Sequence, residues 1–217
     1  MRRLSAIVTA GMIAGAAGAG AAAADGWFSG LFGGGQEDAF AECRGGQVAG
    51  GAGQIGGPFT LVNAEGETVT DEDVITEPSI LYFGYTFCPD VCPLDTVRNA
   101  EAVAMLEEDG IMVQPVMISV DPERDTPEVM DDFTANVHPR MLGLTGTSEQ
   151  IDQVASAYRV YYRVNREGDD PYYLVDHSAF SYLVLPEHGF VEFFNRDVTP
   201  AEMAERTACF VEAAAGS

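Results

Sequence analysis

From Phe59 onward the chain alternates between short apolar runs and amphipathic stretches, a pattern missing from what precedes it. Phe59-Thr60-Leu61-Val62 reads as a strand, and Asn63 to Gly66 as the turn that ends it. Ser79 to Thr86 is an apolar and aromatic run, as expected of a central strand buried on both faces. Pro93 to Glu108 follows as a helix: proline suits a first turn, whose N–H groups have no helical partner, and Gly110 ends it. Ile111 to Val120 is β-branched and alternating, hence the next strand. Thr126-Pro127-Glu128 supplies a cap, a proline and an acid for a helix reaching Val137. Met141 to Leu144 is a short strand. Ser148 caps a helix to Val160 with Ile151, Val154, Ala155 and Tyr158 on one stripe. Ser178 to Leu185 and Phe190 to Phe194 form a hairpin around Pro186 to Gly189, and Thr199-Pro200-Ala201-Glu202 starts a last helix to Ala214.

Strands alternating with helices, closed by a hairpin and a helix, predict an α/β, thioredoxin-like three-layer fold with an inserted helix and a C-terminal hairpin plus helix. In such a sheet the loop after the first central strand carries the chemistry, at the N-terminus of the next helix. Here that loop is Phe87 to Pro93.

Before the domain the pattern is one of small residues. Met1-Arg2-Arg3 precedes an uncharged Ala/Gly-rich run to Ala24, and Ala22-Ala23-Ala24 offers a small-residue cleavage site. Residues 1–24 therefore read as a signal peptide or a weak membrane anchor, since alanine and glycine gain little from transfer into lipid. Residues 25–54, rich in glycine and alanine, read as a flexible tether, and 55–214 as the folded domain. The expected location is exported, periplasmic, with any attachment to the inner membrane made through the N-terminal segment alone.

Charge narrows the partners. The chain carries 34 acidic and 11 basic residues, a net −23, and every basic residue is arginine. Loss of Arg2 and Arg3 with a leader gives 9 − 34 = −25. Such a surface repels phosphate backbones and anionic lipid heads, so no nucleic acid partner is expected. Export also places the four cysteines, at 43, 88, 92 and 209, where disulfides can persist.

Cys88 and Cys92 are four residues apart beside the predicted helix start. On a helical turn that spacing puts both sulfurs on one side, and a helix N-terminus favours the thiolate. Two thiolates are soft ligands that select Cu(I) or zinc. Of the three histidines, His177 lies in Val175-Asp176-His177-Ser178, directly before an apolar strand whose leading loop approaches the cysteine loop. Asp176 is placed to orient it. His138 and His188 read as surface residues.

Three segments together, Tyr85-Thr86-Phe87-Cys88-Pro89-Asp90-Val91-Cys92-Pro93, Ser119-Val120-Asp121-Pro122-Glu123-Arg124-Asp125-Thr126-Pro127 and Val175-Asp176-His177-Ser178, occur in this order within residues 55–212. In them the chain resembles the Sco/SenC family of copper chaperones for cytochrome c oxidase assembly. The resemblance implies that Cys88, Cys92 and His177 are copper ligands, for Cu(I) and in the second instance Cu(II). It implies delivery of copper to the binuclear copper centre of cytochrome c oxidase. The partners would be the copper-bearing oxidase subunit and an upstream copper donor. The acids and Pro122 of the middle segment are read as turn formers and helix caps. The Ala/Gly-rich leader departs from the firm transmembrane anchor that many members keep, and Cys43 and Cys209 lie outside the family motif. They are read as a disulfide between tether and last helix, or as two free thiols.

Other functions are weighed on the same residues. A thiol–disulfide oxidoreductase acting on the oxidase cysteines would use Cys88 and Cys92 as redox-capable thiols, but redox thioredoxins have two intervening residues where this chain has Pro89, Asp90 and Val91. A peroxiredoxin-type peroxidase places a threonine three positions before its cysteine, and Thr86 lies two before Cys88. A purely structural Cys88–Cys92 bridge explains neither His177 nor the flanking prolines. The methionines are scattered and read as core filler. Asn165 to Pro171, flanked by tyrosines, reads as an exposed loop.

Overall fold

The computed structural model describes residues 39–45, 54–168 and 170–216, all within the unit Ala39–Ser217. The expectation for residues 1–24, and most of that for 25–54, lies outside these residues. No helix of the described residues is long and apolar enough to cross a membrane.

Strands β1 (Thr60–Val62) and β2 (Thr68–Thr70) pair antiparallel across a turn where Gly66 takes φ +77°, a conformation that glycine reaches without steric cost. The short α1 (Asp71–Val74) follows, then β3 (Ser79–Gly84), α2 (Val91–Glu108), β4 (Gln114–Ser119) and α3 (Pro127–Val137). After these come β5 (Leu142–Leu144), α4 (Ser148–Ala157), β6 (Tyr162–Asn165), β7 (Leu174–His177), β8 (Ser181–Leu185), β9 (Gly189–Phe194) and α5 (Pro200–Ala215).

The central sheet has the order β5-β4-β3-β8-β9, with β3, β4 and β5 parallel and β8 and β9 antiparallel to their neighbours. This is the predicted layered α/β fold. Every residue of β3 is buried, which explains its unbroken apolar run. On one face Phe83, Val116 and Ile118 pack with Ile151, Val154 and Tyr158 of and beside α4. On the other, Ile80, Leu183 and Phe194 pack with Val103 and Leu106 of α2 and Met203 and Phe210 of α5. Met117, Met130 and Met141 fill the space under α3 as core filler, whereas Met105 and Met112, expected to do the same, are exposed.

Helix starts follow local chemistry. Thr126 accepts from the Val129 amide with Pro127 at the first turn, and Thr199 with Glu202 forms a reciprocal capping box. One expected cap is displaced: Thr147, not Ser148, caps α4, because Gln150 three residues on returns the bond to the Thr147 backbone. The sequence reading missed β2, α1 and the β6–β7 hairpin. These strands are short, and in β6 and β7 the residues Arg163 and Asp176 face each other on the outer side, so no apolar run marks them.

Part of the segment read as a tether is packed on the domain. Cys43 is joined to Cys209 of α5 with Cα atoms 5.6 Å apart. Phe40 is buried against Phe210, and the Gly45 amide donates to Glu192 Oε2 at 2.9 Å. This hook packs along β9 and α5, from Phe40 beside His188 in the β8–β9 turn to Gly45 on Glu192.

A candidate metal centre at the end of the central strand

Strand β3 ends at Gly84, and the chain turns through Tyr85 to Asp90 before entering α2. Asp90, at the N-cap, makes no side-chain cap bond. The Cys88 sulfur instead accepts the Cys92 amide at 3.4 Å. Cys88 therefore lies in the turn before the helix rather than on one helical turn with Cys92, and the helix begins at Val91 instead of Pro93. The two sulfurs still meet, because the turn folds Cys88 back over the first helical amides.

The third member arrives from the β6–β7 hairpin. His177 is the last residue of β7, paired with Tyr162, and not part of a loop as expected. Its Nδ1 lies 3.1 Å from the Ser178 carbonyl, an acceptor-only partner, so Nδ1 carries the hydrogen and Nε2 the lone pair. Nε2 lies 3.2 Å from Cys92 Sγ. The ring is boxed by Tyr82 and Tyr85, edge-on at 6.1 and 5.9 Å between centroids. Asp176 does not orient the imidazole as expected: it faces outward and lies 3.8 Å from Arg163. In a strand successive side chains point to opposite faces, so a neighbour in sequence is directed away.

One ligand atom from each of Cys88, Cys92 and His177 lies within 4.8 Å of the others, and among the described residues this is the one group of three or more such side chains able to hold a metal ion. The other histidines are at the opposite end of the sheet. His188 is in the β8–β9 turn. His138, expected at the surface, is 8% exposed, with Nδ1 accepting the Arg140 amide at 3.2 Å. Its position at the end of α3, under the following chain, buries it.

The two thiols differ electrostatically. The Cys88 thiol is held well below the usual range, first by a hydrogen bond from Cys92 and also by the backbone N–H groups of Cys92 and Asp90, against the opposing effect of burial. Cys92, fully buried, is pushed up, first by the neighbouring Cys88 sulfur and then by burial. One thiolate and one thiol sharing a proton is the expected metal-free state. Two sulfurs and an imidazole nitrogen, already converged, fit a soft monovalent ion such as Cu(I) and also zinc.

The middle sequence segment contributes more than turn formation and capping. Asp125 is buried and accepts from Ser119 Oγ at 2.6 Å, from Thr86 Oγ1 at 2.6 Å and from the Thr86 amide. Asp121, also buried, accepts from Tyr173 Oη at 2.7 Å and Arg124 Nε at 2.5 Å. The Arg124 guanidinium lies 3.5 Å from the Tyr173 ring centroid and 5.7 Å from that of Tyr85, the residue packed on His177. The segment thus braces both the cysteine turn and the histidine hairpin. None of these contacts was visible in spacing alone; three acids around a proline suit any turn.

The SCO1/SenC family profile matches residues 47–212. Protein SenC of Rhodobacter capsulatus is 54% identical over 178 residues, which is 82% of this chain and 80% of that one. Among solved structures, Arabidopsis thaliana ScoI with copper bound is 41% identical, with a TM-score of 0.68 over 73% of this chain and 99% of that one. BsSco, described as a member of the Sco family of cytochrome c oxidase assembly proteins with a disulfide switch, is 25% identical, with a TM-score of 0.56 over 73% of this chain and 94% of that one. With its profile spanning nearly the whole predicted domain and SenC identical at more than half of the aligned positions, the chain belongs to the SCO1/SenC family.

Proposed function

We propose that this protein is a copper-binding metallochaperone that holds copper through Cys88, Cys92 and His177 and delivers it to the binuclear copper centre of cytochrome c oxidase. The observation that carries the reading is the convergence of two sulfurs and one imidazole nitrogen within 4.8 Å, in a chain similar to a ScoI solved with copper bound. Copper is the cargo. Cys88 supplies a ready thiolate, Cys92 gives up its proton on loading, and the Ser178 carbonyl keeps Nε2 of His177 free to ligate. Three protein donors leave room for an incoming ligand from an acceptor, so transfer can proceed by ligand exchange. Phe87 and Leu94, 53% and 61% exposed beside the cysteines, border the mouth where a partner would meet the site. The partners are the copper-bearing oxidase subunit and an upstream copper donor. The setting is the periplasm, reached by export through the N-terminal segment.

A second reading, reduction of the oxidase copper-site cysteines, is favoured by the unequal thiols. The Cys88 thiolate would attack a partner disulfide, forming a mixed disulfide and releasing one partner thiolate. Cys92 would then attack the Cys88 sulfur, releasing the second, with two electrons passing to the partner and Cys88–Cys92 left oxidised.

Titration of the reduced protein with Cu(I), followed by metal analysis after desalting, tests the first reading. One copper per chain is expected, and Cys88→Ser with parental retention would refute the ligand assignment. His177→Ala separates the two activities. Loss of copper retention with an unchanged dithiol midpoint supports the carrier. Unchanged retention with lost reduction of a partner disulfide supports the reductase.

A further inference from the structure

The β6–β7 hairpin that carries His177 forms a two-stranded sheet of its own, outside the five-stranded sheet that delivers the cysteines. Side chains fasten it at two places. Near His177, the Tyr162 hydroxyl donates to Asp152 of α4. The far end is held to the segment before α3. There Tyr173 Oη donates to Asp121 Oδ1 at 2.7 Å, and Arg124 Nη1 donates to the Pro171 carbonyl at 3.3 Å. Arg166 donates through both Nη atoms to the two oxygens of Glu123, at 3.0 and 2.5 Å. The Tyr173 ring also carries two guanidinium groups, Arg124 at 3.5 Å and Arg166 at 3.9 Å from its centroid.

These contacts are not equal. The Glu123 side chain is 65% exposed, so solvent weakens its pair with Arg166. Tyr173 and Asp121 are 4% and 1% exposed, so water does not readily replace the bond between them. Tyr173 is therefore the firmest hold at that end. It is also in register with the ligand. Side chains alternate along a strand, so Tyr173, just before β7, and Val175 share their side with His177. Both pack into the core cluster that contains Tyr85, Cys88 and Cys92. A strand released at Tyr173 can roll about its axis, and the roll carries His177 Nε2 away from Cys92 Sγ, 3.2 Å distant in this structure.

We infer that Tyr173 is a positioning residue: held by Asp121 and Arg124, it keeps His177 turned toward the cysteine pair and so sets how long copper stays in the site. Cys88 and Cys92 are fixed by their turn and by α2, whereas the imidazole is presented by a separately fastened hairpin. It is the donor whose departure limits release. The copper readout rests on the metallochaperone reading above; the metal-free readout does not.

Tyr173→Phe keeps the ring and its cation stacks and deletes the donor to Asp121. With three histidines in the chain, proton NMR of the reduced, metal-free protein follows each ring, His177 being assigned by its loss in His177→Ala. In Tyr173→Phe the His177 ring signals are expected to shift and broaden, while those of His138 and His188 stay as in the parent. In the Cu(I)-loaded protein, release to excess bathocuproine disulfonate, a Cu(I) chelator, is expected to be roughly tenfold faster, the factor that goes with losing a hydrogen bond to a charged group. Glu123→Gln loosens the same end at the surface and should move both readouts the same way by less. Parental His177 signals and parental release in Tyr173→Phe overturn the inference. Movement of all three histidines with a lowered melting temperature shows general loosening and also overturns it. His177 signals that move without faster release overturn the effect on copper residence. Should Tyr173→Phe fail to fold, Glu123→Gln decides by the same two readouts. A parent that binds no copper, with His177 signals that alone move in Tyr173→Phe, supports the positioning role while defeating the copper reading; normal copper binding with unmoved signals and release does the reverse.

Discussion

The Asp125 carboxylate accepts both the amide and the hydroxyl of Thr86, a residue 39 positions earlier in the chain, so the segment before α3 grips the turn that carries Cys88. The same carboxylate accepts Ser119 Oγ from the end of β4. Three donors from two elements thus depend on one buried acceptor.

Asp125→Ala leaves those donors without a partner in a site that water does not readily refill. Leaving buried donors unmade costs about 1–3 kcal/mol, so a loss of roughly 2–4 kcal/mol is expected once the cavity is included. Chemical denaturation measures it. Asp125→Asn keeps one acceptor oxygen and should lose less. Burial raises the pKa of Asp125 above its ordinary value, despite the hydrogen bonds from Ser119 and Thr86 that oppose it. A carboxyl whose pKa is higher folded than unfolded binds more protons when folded, so its contribution to stability grows as pH falls through the folded value. The stability advantage of the parent over Asp125→Asn should therefore widen from pH 7 toward acid; a gap that narrows would contradict this.

Gly84→Ala places a methyl against the Tyr82 ring and the Cys92 sulfur. Overpacking of this kind costs about 1–3 kcal/mol. The displaced atoms belong to the ligand cluster, so copper retention against a chelator should fall as well. A variant destabilised in this range but retaining copper like the parent would show that Cys92 Sγ adapts without loss.

Joint replacement of Cys43 and Cys209 by serine should destabilise the domain by about 2–5 kcal/mol, because the bridge closes a long loop in the unfolded chain. The bridge spans 166 residues, and neither of its cysteines belongs to the group Cys88, Cys92 and His177. Copper stoichiometry should be unchanged. Melting curves with and without reductant, run beside metal analysis, check both halves.

Arg124→Lys retains the charge and loses the planar stack on Tyr173 and the short contact to Asp121. Lysine lacks the flat guanidinium that fits both partners. A loss of about 1–2 kcal/mol is expected. Tyr85 packs on both Arg124 and His177, so a change in the His177 ring environment, followed by NMR, should accompany it.

Local patterning alone placed the five strands of the main sheet and its long helices, because burial on one or both faces imposes a period that needs no knowledge of the fold. Cys88, Cys92 and His177 were likewise legible, the first two from their spacing and His177 from its position before an apolar strand. The β6–β7 hairpin was not, since its residues are half exposed and their alternation carries little contrast.

The sequence determined the layered sheet, the cysteine turn at the end of β3 and the choice of chemistry. Only the tertiary structure decided that Asp176 points away, that His138 is buried, that Cys43 meets Cys209, and that Asp125, Arg124, Tyr82 and Tyr173 support the site. Periodicity and capping are set by neighbours a few residues apart. These contacts join residues far apart in the chain, or depend on how a strand is rotated and how a helix sits on the sheet, and packing alone fixes both.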